Sequence, residues 1–233
     1  NTCFLSYIFI SYLCQISNRN MKTRKIRTAL YNVLPGEKAH ALMAPRPKYI
    51  EGIEGVHPCP PVNSAILALI VPFENELALP LIKRVNRGKY HGGQIAFPGG
   101  KMEKEDADAL QTALRECHEE IGVPEEKVSI LGVLSDIYIP LSNFNITPIV
   151  GTTLQLPDFI LSQDEVEKVI LVKLRDLFDD RNKTTHSFVR HDHKIIAPGY
   201  KIGENFIWGA TAMIIAELEQ LMKTNTFNHL GKL

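Results

Sequence analysis

The stretch FPGGKMEKEDADALQTALRECHEEIGV, Phe97 to Val123, decides how the rest of the chain is read. It opens on a tight turn, Pro98-Gly99-Gly100, and passes through the acidic residues Glu103, Glu105 and Asp106. A run with helical periodicity follows from about Ala107 to Ile121, and Gly122 stands where helices commonly stop. Within that run Ala109, Leu110, Ala113, Leu114, Cys117 and Ile121 recur at helical spacings and define an apolar face. Glu116, Glu119 and Glu120 share another stripe of the same helix. Like charges one turn apart destabilise an isolated helix, so the stripe predicts a positive partner. Arg115, one turn before Glu119, can brace a carboxylate with its fork of donors. Oxygen donors at this density suit Mg²⁺ or Mn²⁺, and those ions suit phosphate groups. A Glu-rich helix face is ordinarily just solvated. The Gly-Gly turn, the Arg-Glu pair, the Glu-Glu pair and the closing glycine together favour a metal site.

The segment resembles the Nudix box, G-x5-E-x7-R-E-U-x-E-E-x-G-U, with U aliphatic. Arg115-Glu116-Cys117-His118-Glu119-Glu120-Ile121-Gly122-Val123 matches its second half, with the small apolar thiol of Cys117 in an aliphatic place. The first half is one residue longer. Counting back from Arg115 puts Lys101 at the first glycine and Ala107 at the first Glu; counting forward from Gly100 puts Asp106 at that Glu. The longer form, GGxxxxxD, resembles the coenzyme A pyrophosphatase branch, and Asp106 is preferred to Glu105 as the acid that braces Arg115. That branch also carries LLTxR-[SA]-x3-R-x3-G-x3-FPGG upstream. Leu81-Ile82-Lys83-Arg84-Val85, Lys89, Gly93 and Phe97-Pro98-Gly99-Gly100 keep its spacing. Pro80, Ile82, Val85 and Lys89 depart from it in residue type; Lys89 keeps the charge of the usual Arg and loses the bidentate fork.

The resemblance implies an α/β fold, the Nudix α/β/α sandwich around a mixed sheet, with the box as a loop-helix-loop against it. It implies metal-dependent hydrolysis of a diphosphate linkage in a nucleoside diphosphate derivative. The substrate of that branch is coenzyme A or acyl-CoA, cleaved to 3',5'-ADP and 4'-phosphopantetheine. Glu116, Glu119, Glu120 and the Gly100 carbonyl would hold Mg²⁺ or Mn²⁺. Arg115, Glu116 and Glu119 would be catalytic, and the base would be a box Glu or an acid of a later loop, Glu165 or Glu167. Arg84, Lys89 and His91, grouped just before the box, would contact substrate phosphates. Two alternatives stay open: a pyrophosphatase for ADP-ribose or another nucleotide, and a binding module that keeps the fold without turnover. Three clustered acids argue against the second.

Around this centre the chain is 233 residues long, 45% apolar and of zero net charge. It can bury a full core, and it carries no field that would point to nucleic acid. The four cysteines show no CxxC pairing, which fits a reducing compartment. A cytoplasmic site is expected, with a peroxisomal one as alternative because Gly231-Lys232-Leu233 is one residue away from Ser-Lys-Leu. The apolar run Phe4–Ile16 is short for a membrane span, which needs roughly 18 residues, and no membrane association is expected. Residues 1–20 read as a disordered or non-native extension before Met21. Residues 21–62 read as a helical segment and linker with helices at 21–34 and Glu37–Met43. Residues 63–225 read as the hydrolase domain. Beyond a small nucleotide, a homodimer is the one partner left open.

Strands are expected at Ser64–Pro72 and Leu77–Lys83 as a hairpin, at Val128–Leu134 running on into Ser135–Ile139, at Ile146–Thr152 and at Lys168–Lys173. A short helix at Leu174–Phe178 and a last helix at Ala210–Met222 complete the pattern. His186, His191 and His193 fit the polar positions of an edge hairpin better than a metal cluster, and Trp208 and Thr211 read as packing and capping residues.

Overall fold

The near-continuous apolar run SAILALIVP becomes the central strand β1 (Val62–Phe73), whose pairing organises the molecule. The computed structural model describes residues 23–46, 59–86, 93–190 and 193–227. The readings made for residues 1–20, Lys89, His91, His191 and Gly231-Lys232-Leu233 lie outside the described residues.

At the end of β1, Glu74 and Asn75 take positive φ of 45° and 64°. A two-residue turn of this kind matches the twist of the strands it joins. It returns the chain as β2 (Glu76–Arg84), antiparallel, with Phe73 opposite Glu76. On its other side β1 runs parallel to β7 (Phe144–Thr152), from Val62 opposite Phe144 to Ile70 opposite Thr152. β5 (Ser129–Val133) and β6 (Ile137–Ile139) both pair antiparallel with β7. β3 (Ile95–Ala96) and β8 (Val166–Lys173) pair with β2. β4 (Gly99–Lys101) lies against Ser64–Ile66 of β1. The sheet is therefore mixed, as expected. The strand anticipated to run through 128–139 is instead two strands, because the Ser135 N–H leaves the ladder and donates to Glu217 at 3.2 Å.

Alternation along β1 sorts its side chains onto two faces. Leu67, Leu69 and Val71 join Ala113, Cys117 and Ile121 of α3 (Ala109–Ile121) in one core. Ala68 and Ile70 join the other core, with Ile26, Ala29 and Leu30 of α1 (residues 23–30), Met43 of α2 (Glu37–Met43) and Ile214 and Leu218 of α5 (Ala210–Phe227). Helices on both faces of one mixed sheet are the α/β/α layering. The short helix α4 (Leu174–Leu177) closes β8.

A second, three-stranded sheet, β9 (Lys183–Arg190), β10 (His193–Ile202) and β11 (Asn205–Trp208), sits beside α5 with β9 at its edge. His186 stacks on Phe206 there with centroids 4.0 Å apart, which is the edge-hairpin role expected of it. Among the described residues no helix is long and apolar enough to cross a membrane.

Candidate active site

Local rules place the box helix. The Asp108 side chain accepts the Gln111 N–H at 2.9 Å and caps the start of α3. Gly122 takes φ 71° and donates to the His118 carbonyl at 2.8 Å, which ends it. The apolar face is buried as its periodicity predicts. The Cys117 thiol, pushed up to about 12 by burial, acts as a small hydrophobe.

That anchoring turns Arg115 toward the Gly-Gly loop, where all five of its N–H donors are engaged. Nε and Nη2 reach the two oxygens of Asp106 at 3.0 and 2.9 Å. Nη1 reaches Glu116 at 3.0 Å and Glu119 at 2.9 Å, and Nη2 also reaches the Lys101 carbonyl at 3.1 Å. Asp106 is buried and further accepts from the Glu103 N–H and the Thr112 hydroxyl, each at 2.9 Å. Hydrogen bonds from Arg115, foremost, outweigh its burial and hold this carboxyl well below the usual carboxylate range. Asp106, rather than Glu105, is thus the partner of Arg115.

The two glycines serve different ends. A Cβ at Gly99 would overlap the backbone of Ala65 and Ile66, so β4 can lie against β1 only with glycine there. A Cβ at Gly100 would occupy the place of the Glu116 carboxylate, which lies directly against this residue. Burial raises the Glu116 pKa; Arg115 opposes that rise, while Glu119 and Glu165 add to it. Glu119 is more open, its side chain 56% exposed.

Glu120 turns inward and is 1% exposed. It accepts the Gly99 N–H and an Arg84 N–H, each at 2.9 Å, while Arg84 also donates to the Gly99 carbonyl at 2.9 Å. Burial, foremost, pushes the Glu120 carboxyl up to about 7 against the pull of Arg84 and Gly99, with Glu116 and Glu165 adding to the rise. Arg84, read from the sequence as a phosphate contact, is here the clamp between the box helix and its loop. Of the two later acids, Glu165 acts on Glu116 and Glu120 through its charge, whereas Glu167 pairs with Lys83 at 2.7 Å on the surface.

The sequence placed Glu116, Glu119 and Glu120 in one ligand set. The structure groups Glu116 and Glu119 on Arg115 beside Gly100 and turns Glu120 to the loop backbone. Among the described residues no three acidic, histidine or cysteine side chains form a ready-made cation cage. The donor set still fits Mg²⁺ or Mn²⁺: its oxygens are hard, and Glu116, Glu119 and Glu165 crowd negative charge at one place.

Behind the loop opens a cavity of about 810 Å³, with Gly99, Gly100 and Arg84 in its wall. Trp208 and Thr211 line it too, although Thr211 donates to the Ile95 carbonyl at 3.2 Å and Trp208 meets Phe188 edge-on, as packing residues do. The sequence reading missed the buried tie around Glu217, which takes hydrogen bonds from Gly36 N–H at 2.9 Å and Ser135 Oγ at 2.6 Å and lies 2.9 Å from His40 Nε2. Its signal was there: two acids, Glu217 and Glu219, inside the apolar run ATAMIIAELEQLM. Lys101, with its ammonium 5.7 Å from the Phe144 ring centroid, is a second cation beside Gly100 that was not singled out.

The chain is similar to known proteins in sequence and in fold. The family model described as NUDIX domain matches residues 63–191. A protein of Enterobacter sp. (strain 638) called uncharacterized Nudix hydrolase NudL is 34% identical over 161 residues, covering 67% of this chain and 82% of that protein. Its namesake in Pectobacterium atrosepticum is 35% identical over 158 residues, covering 67% and 80%. Among solved structures, a Nudix hydrolase from Nitrosomonas europaea superposes with a TM-score of 0.47 at 20% identity, covering 76% of this chain and 77% of that one. With the matched domain spanning more than half of the sequence and the braced acids at its heart, this chain belongs to the Nudix hydrolases, which act on nucleoside diphosphate derivatives.

Proposed function

We propose that the chain hydrolyses the diphosphate linkage of coenzyme A or its thioesters, yielding 3',5'-ADP and 4'-phosphopantetheine, with Mg²⁺ or Mn²⁺ as cofactor. The observation that carries the reading is the five-donor brace of Arg115, which holds Glu116 and Glu119 side by side against Gly100. The choice of coenzyme A is supported by the spacing from Leu81 to Gly100 and by the longer turn that puts Asp106 on Arg115.

A diphosphate presents a phosphorus shielded by negative oxygens. Divalent ions, when bound, neutralise those oxygens and acidify a water. Glu116, Glu119 and the Gly100 carbonyl would hold them, with Glu120 at the rear of the set. Arg115 keeps two carboxylates close against their mutual repulsion, and Asp106 fixes Arg115. Arg84 holds Glu120 to the Gly99 backbone, so loop and helix stay in register. Glu165 is the proposed base for an attacking water, supported by the reach of its charge to Glu116 and Glu120. Lys89 and His91 are the proposed phosphate contacts.

Incubation with coenzyme A, ADP-ribose and a nucleoside triphosphate in Mg²⁺ or Mn²⁺, with products weighed by mass spectrometry, tests this. Coenzyme A should give 3',5'-ADP and 4'-phosphopantetheine fastest. Faster cleavage of ADP-ribose or the triphosphate would replace the substrate, and no cleavage of any would make the chain a binding module.

A further inference from the structure

We infer that the cavity behind the Gly99-Gly100 loop is the subsite for an uncharged aliphatic arm of the substrate, with α2 and the residues after it as one wall. This rests on the reading that the chain cleaves a diphosphate linkage. At about 810 Å³ the cavity lies within the range that takes a drug-sized group. Gly99 and Gly100 are part of its wall, and Gly100 touches the Glu116 carboxylate, so the cavity adjoins the acids across the loop. Ala44, Ile66, Ile139, Phe144 and Met213 make much of its wall.

The polar side chains in that wall argue for the occupant. His40 is engaged with Glu217 at 2.9 Å, and the Ser64 hydroxyl with the Asn145 carbonyl at 3.0 Å. Tyr138 donates to Asn143 at 3.0 Å, and Asp136 accepts from Thr147 at 2.7 Å. Thr211 is bonded to Ile95, and Arg84 to Glu120. A nucleobase brings several donors and acceptors, each costly to bury without a partner. An aliphatic arm brings none and gains from leaving water. The apolar part of the wall suits the second, while Glu37, Arg46, Gln94 and Ser142 are further polar residues of the lining. Its α2 side precedes the matched domain and is tied to α5 through Glu217, so selectivity for the arm comes from outside the box.

Trp208 is the single tryptophan of the chain and lines the cavity, so its emission reports occupancy without turnover. Titration of the metal-free full chain with octanoyl-coenzyme A should shift Trp208 emission saturably, and ADP should not. In steady state, KM over acetyl-, butyryl-, hexanoyl- and octanoyl-coenzyme A should fall by about two- to fourfold per added methylene, with kcat little changed. Ala44→Phe should abolish that trend and weaken the octanoyl-induced shift; Ala44 has extended backbone, φ −69° and ψ 129°, that accepts the larger residue. A flat KM series, or emission that follows ADP and ignores the acyl chain, would overturn the inference. If no diphosphate is cleaved but octanoyl-coenzyme A still shifts Trp208, the hydrolase reading fails and the subsite stands.

Discussion

Arg115 spans the exposed and buried halves of the site: Asp106 behind it is nearly inaccessible, while Glu119 before it is open to water. Removing the charge of Asp106 strands part of the guanidinium and the Thr112 and Glu103 donors. Asp106→Asn should cost about 3 kcal/mol in chemical unfolding at pH 7. A loss below about 0.5 kcal/mol would mean the pair is structurally idle. The pH dependence follows from the same group. Its folded pKa lies below the unfolded value of 3.8, so its contribution is present above that value. The contribution is lost as pH falls from about 4 toward the depressed pKa. Wild type should therefore lose stability through that window more steeply than Asp106→Asn. At Gly100 the effect should be catalytic instead: Gly100→Ala pushes on the Glu116 carboxylate, and kcat should drop more than tenfold while the thermal midpoint moves little.

At the level of elements, the apolar period and the stop of α3 were legible as local signals, while its start, read at about Ala107, is set at Ala109 by the Asp108 cap. Local signals also marked the β1–β2 turn, where Glu74-Asn75 separates two apolar runs. The mutual contacts of Arg84 and Glu120 were not legible. Each is decided by the close approach of β4 to β1, which brings the Gly99 backbone between them, and spacing alone does not report that. Ser135 shows the reverse failure: its segment has strand character, yet a carboxylate from a helix 82 residues later takes its N–H. Glu217→Ala should leave Ser135, Gly36 and His40 without their shared acceptor. The expected loss is about 3 kcal/mol, or about 6–12 °C in thermal midpoint, read by calorimetry. An unchanged midpoint would show that the tie is dispensable.

Over the whole molecule the sequence indicated the layers but not their extent. Residues 21–62 read as a helical segment and linker ahead of the domain. Ile26, Leu30 and Met43 sit in the same core as α5 and the sheet, so this segment packs into the sandwich ahead of the matched residues 63–191. The apolar cavity is likewise a product of tertiary placement, since its walls come from α2, β1, β6, β7 and α5 together. In the proposed function, what joins these parts to chemistry is the cluster on Arg115. The direct test is turnover of coenzyme A as a function of Mn²⁺ for wild type, Glu116→Gln and Glu119→Gln, with folding checked by circular dichroism. The account predicts no turnover without divalent ion, and kcat reduced by orders of magnitude in both folded variants. Full turnover in both variants, or in wild type with the metal chelated away, would contradict it.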